Sequence, residues 1–384
     1  MASPESTFSS AGDAYIRGDN PYAIVLFHRA AEEAREYRDV TLWFRATVWE
    51  AEATYSISDL RRAYSLVLMA SAEEPPGCEF EHWLCRKLRF KIFLDWEPIK
   101  RNLREILEDL EKFQRSADFS EHDLHFMHAH LSAARGAWAE SLAYCESGIA
   151  VYDDDRGGFK RIGFAYLALE CCILLRRIAA AEDWIKAIRS EVEWNEGWNR
   201  SIEIYQAAGR LKLARARREP VAEIRRLFRE FDDLCRTVGD AEMKHELYCE
   251  RVRTGLLDPD EGDPSRLVHP SRNACRNFSP KKTTCHSRFD HSLLVLDYRI
   301  ACLRFIVGIH PIDDEFYEGT PPLEIFGLFD KSRFDQQLNK VRSALRCAQV
   351  RAVKLDLMLE CDWRTNEIQK RAAWISAIGS AEHS

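Results

Sequence analysis

The stretch from Phe8 to Ala34 reads FSSAGDAYIRGDNPYAIVLFHRAAEEA, and it predicts the fold of most of the chain. Apolar residues at helical spacing lie on both sides of a Gly18-Asp19-Asn20-Pro21 turn, which predicts two amphipathic helices joined as a hairpin. Ala23, Phe27 and Ala30 share one face of the second helix, because positions 0, 4 and 7 of a helix lie above one another. The small residues allow a neighbouring helix to approach closely.

The same small-large-small spacing recurs along the chain. The further copies are Ala63-Val67-Ala70, Ser141-Cys145-Gly148 and Ala180-Trp184-Ala187. Successive copies start 40, 78 and 39 residues apart, and the double interval predicts a weaker copy at Asn102-Ile106-Asp109. One further step predicts another at Pro220-Ile224-Leu227. A period near 39 residues is typical of stacked helical hairpins.

Two of the copies carry a longer pattern of large and small residues. One consists of Phe164, Leu167, Ala168, Cys171, Ala180, Trp184 and Ala187, and the other of Gly12, Tyr15, Ala23, Phe27 and Ala30. In these residues the chain resembles the tetratricopeptide repeat (TPR) family over residues 5–240, with a repeat of 39–40 residues instead of the family's usual length of about 34. The longer repeat is similar to that of bacterial regulatory proteins that sense peptides or partners. The resemblance implies a solenoid whose concave groove is lined by the first helix of each hairpin.

The predicted fold is therefore all-α, a TPR-like helical-hairpin solenoid with a C-terminal helical capping domain. We expect the solenoid at residues 1–256, a long irregular segment at 257–288 and the C-terminal helical domain at 289–384. Four prolines prevent a continuous helix in the middle segment, and its acidic first half is followed by a basic second half. Such a segment is either a linker or a docking or processing loop.

Composition indicates a cytoplasmic protein. Hydrophobic residues make up 46% and charged residues 30% of the 384 residues, enough for a continuous core under a charged surface. The chain shows neither a signal peptide nor an apolar run of the roughly 20 residues that a membrane helix needs. Eight of the twelve cysteines lie in predicted amphipathic helices, where free thiols act as small buried apolar groups. These are Cys85, Cys145, Cys171, Cys172, Cys235, Cys249, Cys302 and Cys347.

Motifs for catalysis or cofactors are missing from the sequence. It contains no glycine-rich phosphate loop, no Gly-x-Ser-x-Gly turn and no His-Glu-x-x-His helix. We therefore predict no enzymatic activity, no cofactor and no metal site. Two alternatives concern metals: His122, His125 and His128 lie on one side of a helix, and a second set contains nitrogen and sulfur ligands. That set is His269, Cys275, Cys285, His286 and His291, which lacks the paired Cys-x2-Cys spacing of recognisable zinc sites.

The resemblance also implies which residues face the groove. These are Arg45, Glu52, Tyr55, Lys87, Lys91, Phe126, His130, Tyr205 and Lys212. Cations mixed with aromatic residues suit a partner protein or peptide that carries carboxylates and apolar side chains. We therefore predict an interaction scaffold or regulatory adaptor, with no membrane partner.

The alternative hypothesis is nucleic-acid binding through basic helix faces. The dense basic stretches are Arg210, Lys212, Arg215, Arg217, Arg218, Arg225, Arg226 and Arg229, together with Arg86, Lys87, Arg89 and Lys91. Glu219, Glu223 and Glu230 lie close to the first group, and the chain's net charge of −7 is unlike that of a dedicated nucleic-acid binder. Steep salt dependence of binding would favour this hypothesis.

Overall fold

A computed structural model describes residues 3–57, 59–95, 103–114, 121–151, 158–194, 199–236, 241–256, 285–306 and 331–381. In these ranges the chain forms sixteen α-helices and no β-strand, so the all-α prediction is confirmed. The helices are α1 (Pro4–Ile16), α2 (Asn20–Glu36), α3 (Val40–Ser56), α4 (Leu60–Ala70), α5 (Glu79–Asp95), α6 (Leu103–Gln114), α7 (Glu121–Ala134), α8 (Trp138–Ala150), α9 (Gly158–Leu174), α10 (Ile178–Trp194), α11 (Asn199–Ala216), α12 (Val221–Cys235), α13 (Ala241–Leu256), α14 (Cys285–Ile306), α15 (Lys331–Leu359) and α16 (Trp363–Ala381).

Aspartates begin two of the first helices. Asp19 accepts a hydrogen bond from the backbone N–H of Tyr22 at 3.3 Å, and Asp39 accepts one from Leu42 at 2.9 Å. Each bond satisfies one of the backbone donors that have no partner in the first turn of a helix. Pro21 follows in the first turn of α2, where its missing N–H costs nothing.

The turn inside each hairpin has the same hydrogen bond wherever the structure describes it. The backbone N–H of the residue after the turn donates to the carbonyl five residues earlier, at 2.8 to 3.1 Å, in a Schellman arrangement. The donors are Asp19, Asp59, Ala137, Arg177 and Glu219. They are separated by 40, 78, 40 and 42 residues, and the turn expected in the double interval falls within residues 96–102, which lie outside the described ranges. The sequence period thus corresponds to a repeated hairpin turn.

These turns also set which small residues lie at the helix contacts. The small residue follows the donor by four positions, as in Ala23, Ala63 and Ser141, and all three are fully buried. The residue four positions after Arg177 is Ala181, which is fully buried, whereas the predicted contact residue Ala180 is only half-buried.

The prediction for α10 was therefore wrong by one residue. Ala181 and Ile188 fill the contact that Ala180 and Ala187 were expected to make. Ile106, Ile224 and Leu227 are buried as predicted. Pro220 is exposed, because it is the residue that precedes α12.

The chain divides into two compact units, Met1–Leu247 and Tyr248–Ser384. This division falls inside α13, earlier than the predicted end of the first domain at residue 256. In unit 1, consecutive helices pack against each other within α1–α5 and within α6–α12. The odd-numbered helices from α1 to α11 also contact each other in succession.

Unit 2 packs α15 between α14 and α16. Arg371 of α16 donates to Asp297 of α14 at 2.7 Å, and both groups are mostly buried. Asp356 accepts hydrogen bonds from the N–H and the hydroxyl of Thr365, both at 2.7 Å, and so joins the end of α15 to the start of α16.

The predicted irregular segment lies mostly outside the described residues. Its last four positions, 285–288, belong to α14 instead, since no proline or glycine occurs between residues 281 and 307. Among the described helices, none is long and apolar enough to cross a membrane.

Candidate functional site

The nine residues predicted to line a groove all lie on odd-numbered helices of unit 1. Arg45, Glu52 and Tyr55 are on α3, Lys87 and Lys91 on α5, Phe126 and His130 on α7, and Tyr205 and Lys212 on α11. Direct packing connects α3 to α5, α5 to α7, α7 to α9 and α9 to α11. We use the name odd-helix face for these nine residues together with Tyr15, Trp49, Phe80, Trp83 and Tyr166.

Lys87 lies between aromatic rings of two helices. Its ammonium nitrogen is 5.0 Å from the ring centroid of Trp83 on α5 and 5.9 Å from that of Phe126 on α7. Only 7% of the residue is exposed. A cation in these positions is attracted by the negative face of each ring. Lys87 is therefore a largely desolvated cation, unlike the solvated lysine of an ordinary helix surface.

Lys91 lies one helical turn further along α5. Its ammonium nitrogen is 5.0 Å from the ring centroid of Tyr55, whose hydroxyl donates to Asp95 at 2.6 Å. Lys91 is half-buried and forms no ion pair with any described residue. Its charge is thus stabilised by an aromatic ring and remains accessible to an anion.

His130 completes this group from α7. Its ring centroid is 4.4 Å from that of Phe126, and its Nε2 is a buried atom that has no hydrogen-bond partner within the described ranges. Burial and, to a smaller extent, the charges of Lys91 and Lys87 together lower the pKa of His130 to about 3. His130 is consequently neutral at pH 7.

Lys87, Lys91 and His130 form one group at the contact between α5 and α7. Two ammonium groups and a neutral imidazole lie among Tyr55 and Phe126 and other aromatic rings, where low solvation strengthens their interaction with a negative charge. A carboxylate would receive charge-assisted hydrogen bonds from the lysines. The aromatic walls would contact apolar atoms beside that carboxylate.

Arg45 differs from the two lysines because the chain already neutralises it. Its Nε donates to the buried Glu81 at 2.9 Å, and its guanidinium carbon is 5.0 Å from the ring centroid of Phe8. The pair joins α3 to α5. We therefore assign Arg45 a stabilising role in addition to its position on the odd-helix face.

Glu50 and Glu52 are two buried carboxylates of α3 that differ in how well their hydrogen bonds are satisfied. Glu50 accepts from Arg62 at 2.5 Å and lies 3.2 Å from a ring nitrogen of His28. Glu52 accepts only a long hydrogen bond of 3.4 Å from the hydroxyl of Tyr15, and its Oε2 has no partner among the described residues. A buried carboxylate with an unsatisfied oxygen costs stability. Because that Oε2 is itself buried, Glu52 does not present it to a partner.

Tyr205 and Lys212 are separate from the other seven residues. The ring of Tyr205 packs edge-to-face on Tyr166 at 5.0 Å, and the ammonium of Lys212 is 5.1 Å from the centroid of Tyr166. Lys212 also contacts the carboxylate of Glu170 and lies 2.8 Å from that of Glu246. Burial alone would lower the pKa of Lys212, but the two carboxylates raise it well above its usual value. Lys212 therefore joins α9, α11 and α13 and offers a partner little charge.

Several aromatic residues of the odd-helix face were not predicted. Trp49 packs against Tyr15 at 5.5 Å and against Phe80 at 5.9 Å, and Phe80 packs against Trp83 at 5.5 Å. Phe80 is 48% exposed. Trp49 and Trp83 lie four residues after Arg45 and before Lys87, respectively, so helical spacing from the predicted residues was a signal that would have found them.

The histidines of α7 pack within the hairpin. His122 donates through Nδ1 to the carbonyl of Gly148 at 3.0 Å, which satisfies an acceptor in the last turn of α8. The rings of His128 and His125 lie 5.0 Å and 6.0 Å from that of Tyr144. Within the described ranges, no group of three His, Cys, Asp or Glu side chains is placed to hold a metal ion.

The second set of potential metal ligands is described only at His291. His269 and Cys275 lie outside the described ranges, and the side chains of Cys285 and His286 are not described either. The ring centroid of His291 is 6.1 Å from that of Tyr248. Burial lowers the pKa of His291 to about 4, and the charge of Arg351 contributes in the same direction.

Seven of the eight helical cysteines are buried free thiols, as predicted. Cys347 is the exception and is exposed, because it lies on the side of α15 that faces away from α14 and α16. Burial raises the pKa of Cys171 to about 11 and that of Cys145 still further. These two thiols are therefore unreactive at neutral pH.

Several cations of the basic helix faces are neutralised by carboxylates of the same chain. Arg210 lies 2.6 Å from Glu230, and Arg226 lies 2.6 Å from Glu223. Further pairs are Arg217 with Glu182 and Arg86 with Glu74. Such pairing reduces the positive potential that phosphate backbones require.

The chain matches no established protein-family profile, and comparison with curated proteins finds no match either.

Proposed function

We propose that this chain is a non-catalytic interaction scaffold in which TPR-like hairpins stack as a solenoid with a C-terminal helical cap. The recurring turn at intervals near 40 residues and the successive contacts between odd-numbered helices support this architecture. In such stacks the first helices of the hairpins form one extended surface, which is suited to a segment of another protein.

The single observation that carries the proposal is the group of Lys87, Lys91 and His130. These residues come from two different hairpins, and the stacking of α5 on α7 brings them together among aromatic rings. Lys87 and Lys91 are four residues apart on α5, where two like charges lie on the same side of a helix and repel each other. A bound anion would relieve that repulsion.

The partner that fits is an extended protein segment with a carboxylate beside apolar or aromatic side chains. Its carboxylate would bind Lys87 and Lys91, and its apolar groups would pack on Phe80, Trp83 and Tyr55. Aromatic and cationic anchors of this kind dominate the energy of many protein interfaces.

We place this interaction in the cytoplasm. The ten cysteines whose state the structure describes are all free thiols, which suits a reducing compartment.

The test compares charge reversals that are equal in size but differ in position. The partner is first recovered from the native host with the intact chain and identified by mass spectrometry. Its affinity is then measured for the wild type, for Lys91→Glu and for Arg61→Glu, an exposed control on α4. We expect Lys91→Glu to weaken binding by about tenfold or more, because the ligand carboxylate would face a like charge.

A second variant separates charge from packing. Lys87→Met keeps the aliphatic stem between Trp83 and Phe126 but removes the ammonium group. Affinity should fall while the far-ultraviolet circular dichroism stays that of the wild type. Equal loss from Lys91→Glu and Arg61→Glu would exclude the odd-helix face as the binding surface.

The salt dependence of binding distinguishes the nucleic-acid hypothesis from the interaction-scaffold proposal. Binding through phosphate contacts weakens steeply and in proportion to their number as salt rises. Reversal of the exposed Arg229 on α12 would then weaken binding more than Lys91→Glu does. We expect the opposite order.

A further inference from the structure

Helices α14 and α15 of unit 2 meet at a turn of α14 that carries several polar groups. The hydroxyl of Ser292 donates to the carbonyl of Arg288 at 2.8 Å. Nη1 of Arg351, from α15, donates to the same carbonyl at 2.8 Å and also to the hydroxyl of Ser292. The guanidinium of Arg351 therefore lies against the turn formed by residues 288–292.

The positive charge of Arg351 is not balanced by a carboxylate. The two groups that accept from its Nη1 are both neutral, and Arg351 forms no ion pair with any described residue. Its Nε and Nη2 likewise donate to no residue within the described ranges. Because Arg351 is half-buried, water solvates its charge less well than that of an exposed arginine. One edge of the guanidinium is thus left for an acceptor that the described residues do not supply.

The acidic residues on the neighbouring helix turns are bound elsewhere or face away. Asp290 is the only one in residues 285–296. It lies on the opposite side of α14 from the turn's other polar side chains, because two residues rotate a helix by about 200°. Asp356 of α15 is buried and bound to Arg364 at 3.2 Å. Glu250 of α13 is bound to Arg253 at 2.8 Å.

His291 adds a neutral hydrogen-bonding group to the same turn. It follows Arg288 by three residues and so lies on the same side of α14. Its Nδ1 is buried and has no hydrogen-bond partner in the described part of the chain. Burial and the nearby charge of Arg351 keep the ring neutral at pH 7, since together they lower its pKa to about 4. An unsatisfied buried polar atom costs stability, and with its proton on Nδ1 the ring can donate one hydrogen bond.

We infer that Arg351 and His291 form a binding site for a carboxylate between α14 and α15. The carboxylate accepts two parallel hydrogen bonds from Nε and Nη2 of the planar guanidinium and a third from Nδ1 of His291. Its single negative charge matches the one unbalanced charge of Arg351. Tyr248 of α13, whose ring centroid is 6.1 Å from that of His291, contacts the apolar atoms beside the carboxylate. This site belongs to unit 2 and is argued independently of the odd-helix face.

The test asks whether a carboxylate protects Arg351 from chemical modification. Acetate represents a small acid, glutamate capped as an N-acetyl amide represents a protein side chain, and capped glutamine is the uncharged control. Each is added to the full chain at constant ionic strength, and phenylglyoxal modification is followed by peptide mass spectrometry. A saturating carboxylate should slow modification of Arg351 by at least about threefold, because a bound guanidinium does not react. The carboxylate that protects at the lower concentration identifies the source of the ligand.

Arg346 supplies the matched control on the same helix. It is exposed and forms no ion pair with any residue that the structure describes, so its modification should not respond to either carboxylate. The ring resonance of His291, assigned by its loss in His291→Gln, gives a second readout and should shift as acetate binds. Arg351→Lys keeps the charge but loses the planar fork, so it should weaken the acetate affinity measured at His291 by about threefold or more. Arg346→Lys should leave that affinity unchanged.

Three results would overturn the inference. Equal slowing of modification at Arg351 and Arg346, or equal protection by capped glutamine, would show that no specific carboxylate site exists. An unchanged His291 resonance at saturating acetate would exclude the imidazole from the site. Protection by inorganic phosphate at one tenth of the concentration that either carboxylate needs would contradict the assignment of the ligand as a carboxylate.

Discussion

Replacing Gly148 by alanine tests the packing of one hairpin on the next. Gly148 of α8 is the last small residue of the third clear repeat copy, and a Cβ atom placed there would lie 2.4 Å from Cζ of Phe164 on α9. The ring cannot move aside easily, because it is fully buried and packs edge-on against His122 at 5.0 Å and Phe126 at 5.3 Å. Overpacking at such a site costs about 1–3 kcal/mol.

A glycine elsewhere in unit 1 supplies the matched control. Gly12 lies inside α1, and a Cβ atom there would meet nothing within 4 Å. Gly12→Ala should therefore stabilise the chain by about 0.5–1 kcal/mol through helix propensity alone. Gly148→Ala gains the same propensity but also makes the clash, so we expect a net loss of about 1–2 kcal/mol.

Urea unfolding followed by circular dichroism measures both changes, with the midpoint and the slope compared between variants. Adding Phe164→Leu to Gly148→Ala should recover part of the lost stability, since the two side chains then no longer compete for the same space. If Gly148→Ala were as stable as Gly12→Ala, the close contact between α8 and α9 would be refuted.

Three further predictions concern unit 1. Ala181→Leu should destabilise the chain by about 1–3 kcal/mol in urea unfolding because it overpacks a helix contact, whereas Ala180→Leu should cost clearly less. The reverse order would support the register predicted from the sequence, with Ala180 and Ala187 at the contact. Glu50→Gln should destabilise the chain by about 1–3 kcal/mol because it weakens two interactions, while Glu52→Gln should be neutral or stabilising in the same assay, since it removes a poorly satisfied buried charge. The pKa of folded His130 is about 3 and lies below the usual 6.5, so the unfolded chain binds a proton that the folded chain does not; stability should fall as pH decreases from about 6.5 towards 3. His130→Gln should reduce this loss, and a His130 resonance that titrates near pH 6.5 in the folded chain would contradict the prediction.

Much of the fold follows from local sequence. Helix limits could be predicted because Asp, Pro and Gly residues mark the turns, as at Gly18 and Pro21. The error in α10 arose because Ala179, Ala180 and Ala181 are all small, so the spacing rule fits more than one register. What fixes the register is the turn before α10, where Arg176 has a φ of 58°. Sequence patterns assign that left-handed conformation to glycine and not to arginine.

The sequence predicts which residues of the odd-helix face lie on the first helices of hairpins, but not which residues they pair with. The repeat period places Arg45, Lys87 and Lys91 on first helices of hairpins, whereas burial and partners depend on how hairpins stack. One signal was nevertheless present in the sequence. Tyr55 bonds to Asp95, 40 residues later, and Lys212 contacts Glu170, 42 residues earlier. Stacking brings together residues that are one repeat period apart in the sequence. Such a pair shows when a cation is neutralised within the chain, as Lys212 is by Glu170.

A photo-crosslinking experiment tests the central claim most directly, that the odd-helix face binds an acidic segment of a partner. Phe80, which is 48% exposed on this face, is replaced by p-benzoylphenylalanine, and Tyr37, which is 72% exposed beside α2, receives the same change as a control. After illumination with the partner, we expect a crosslink from position 80 to a peptide of the partner that contains Asp or Glu, and none from position 37. Crosslinks from position 37 alone, or from position 80 to a peptide without carboxylates, would contradict the account.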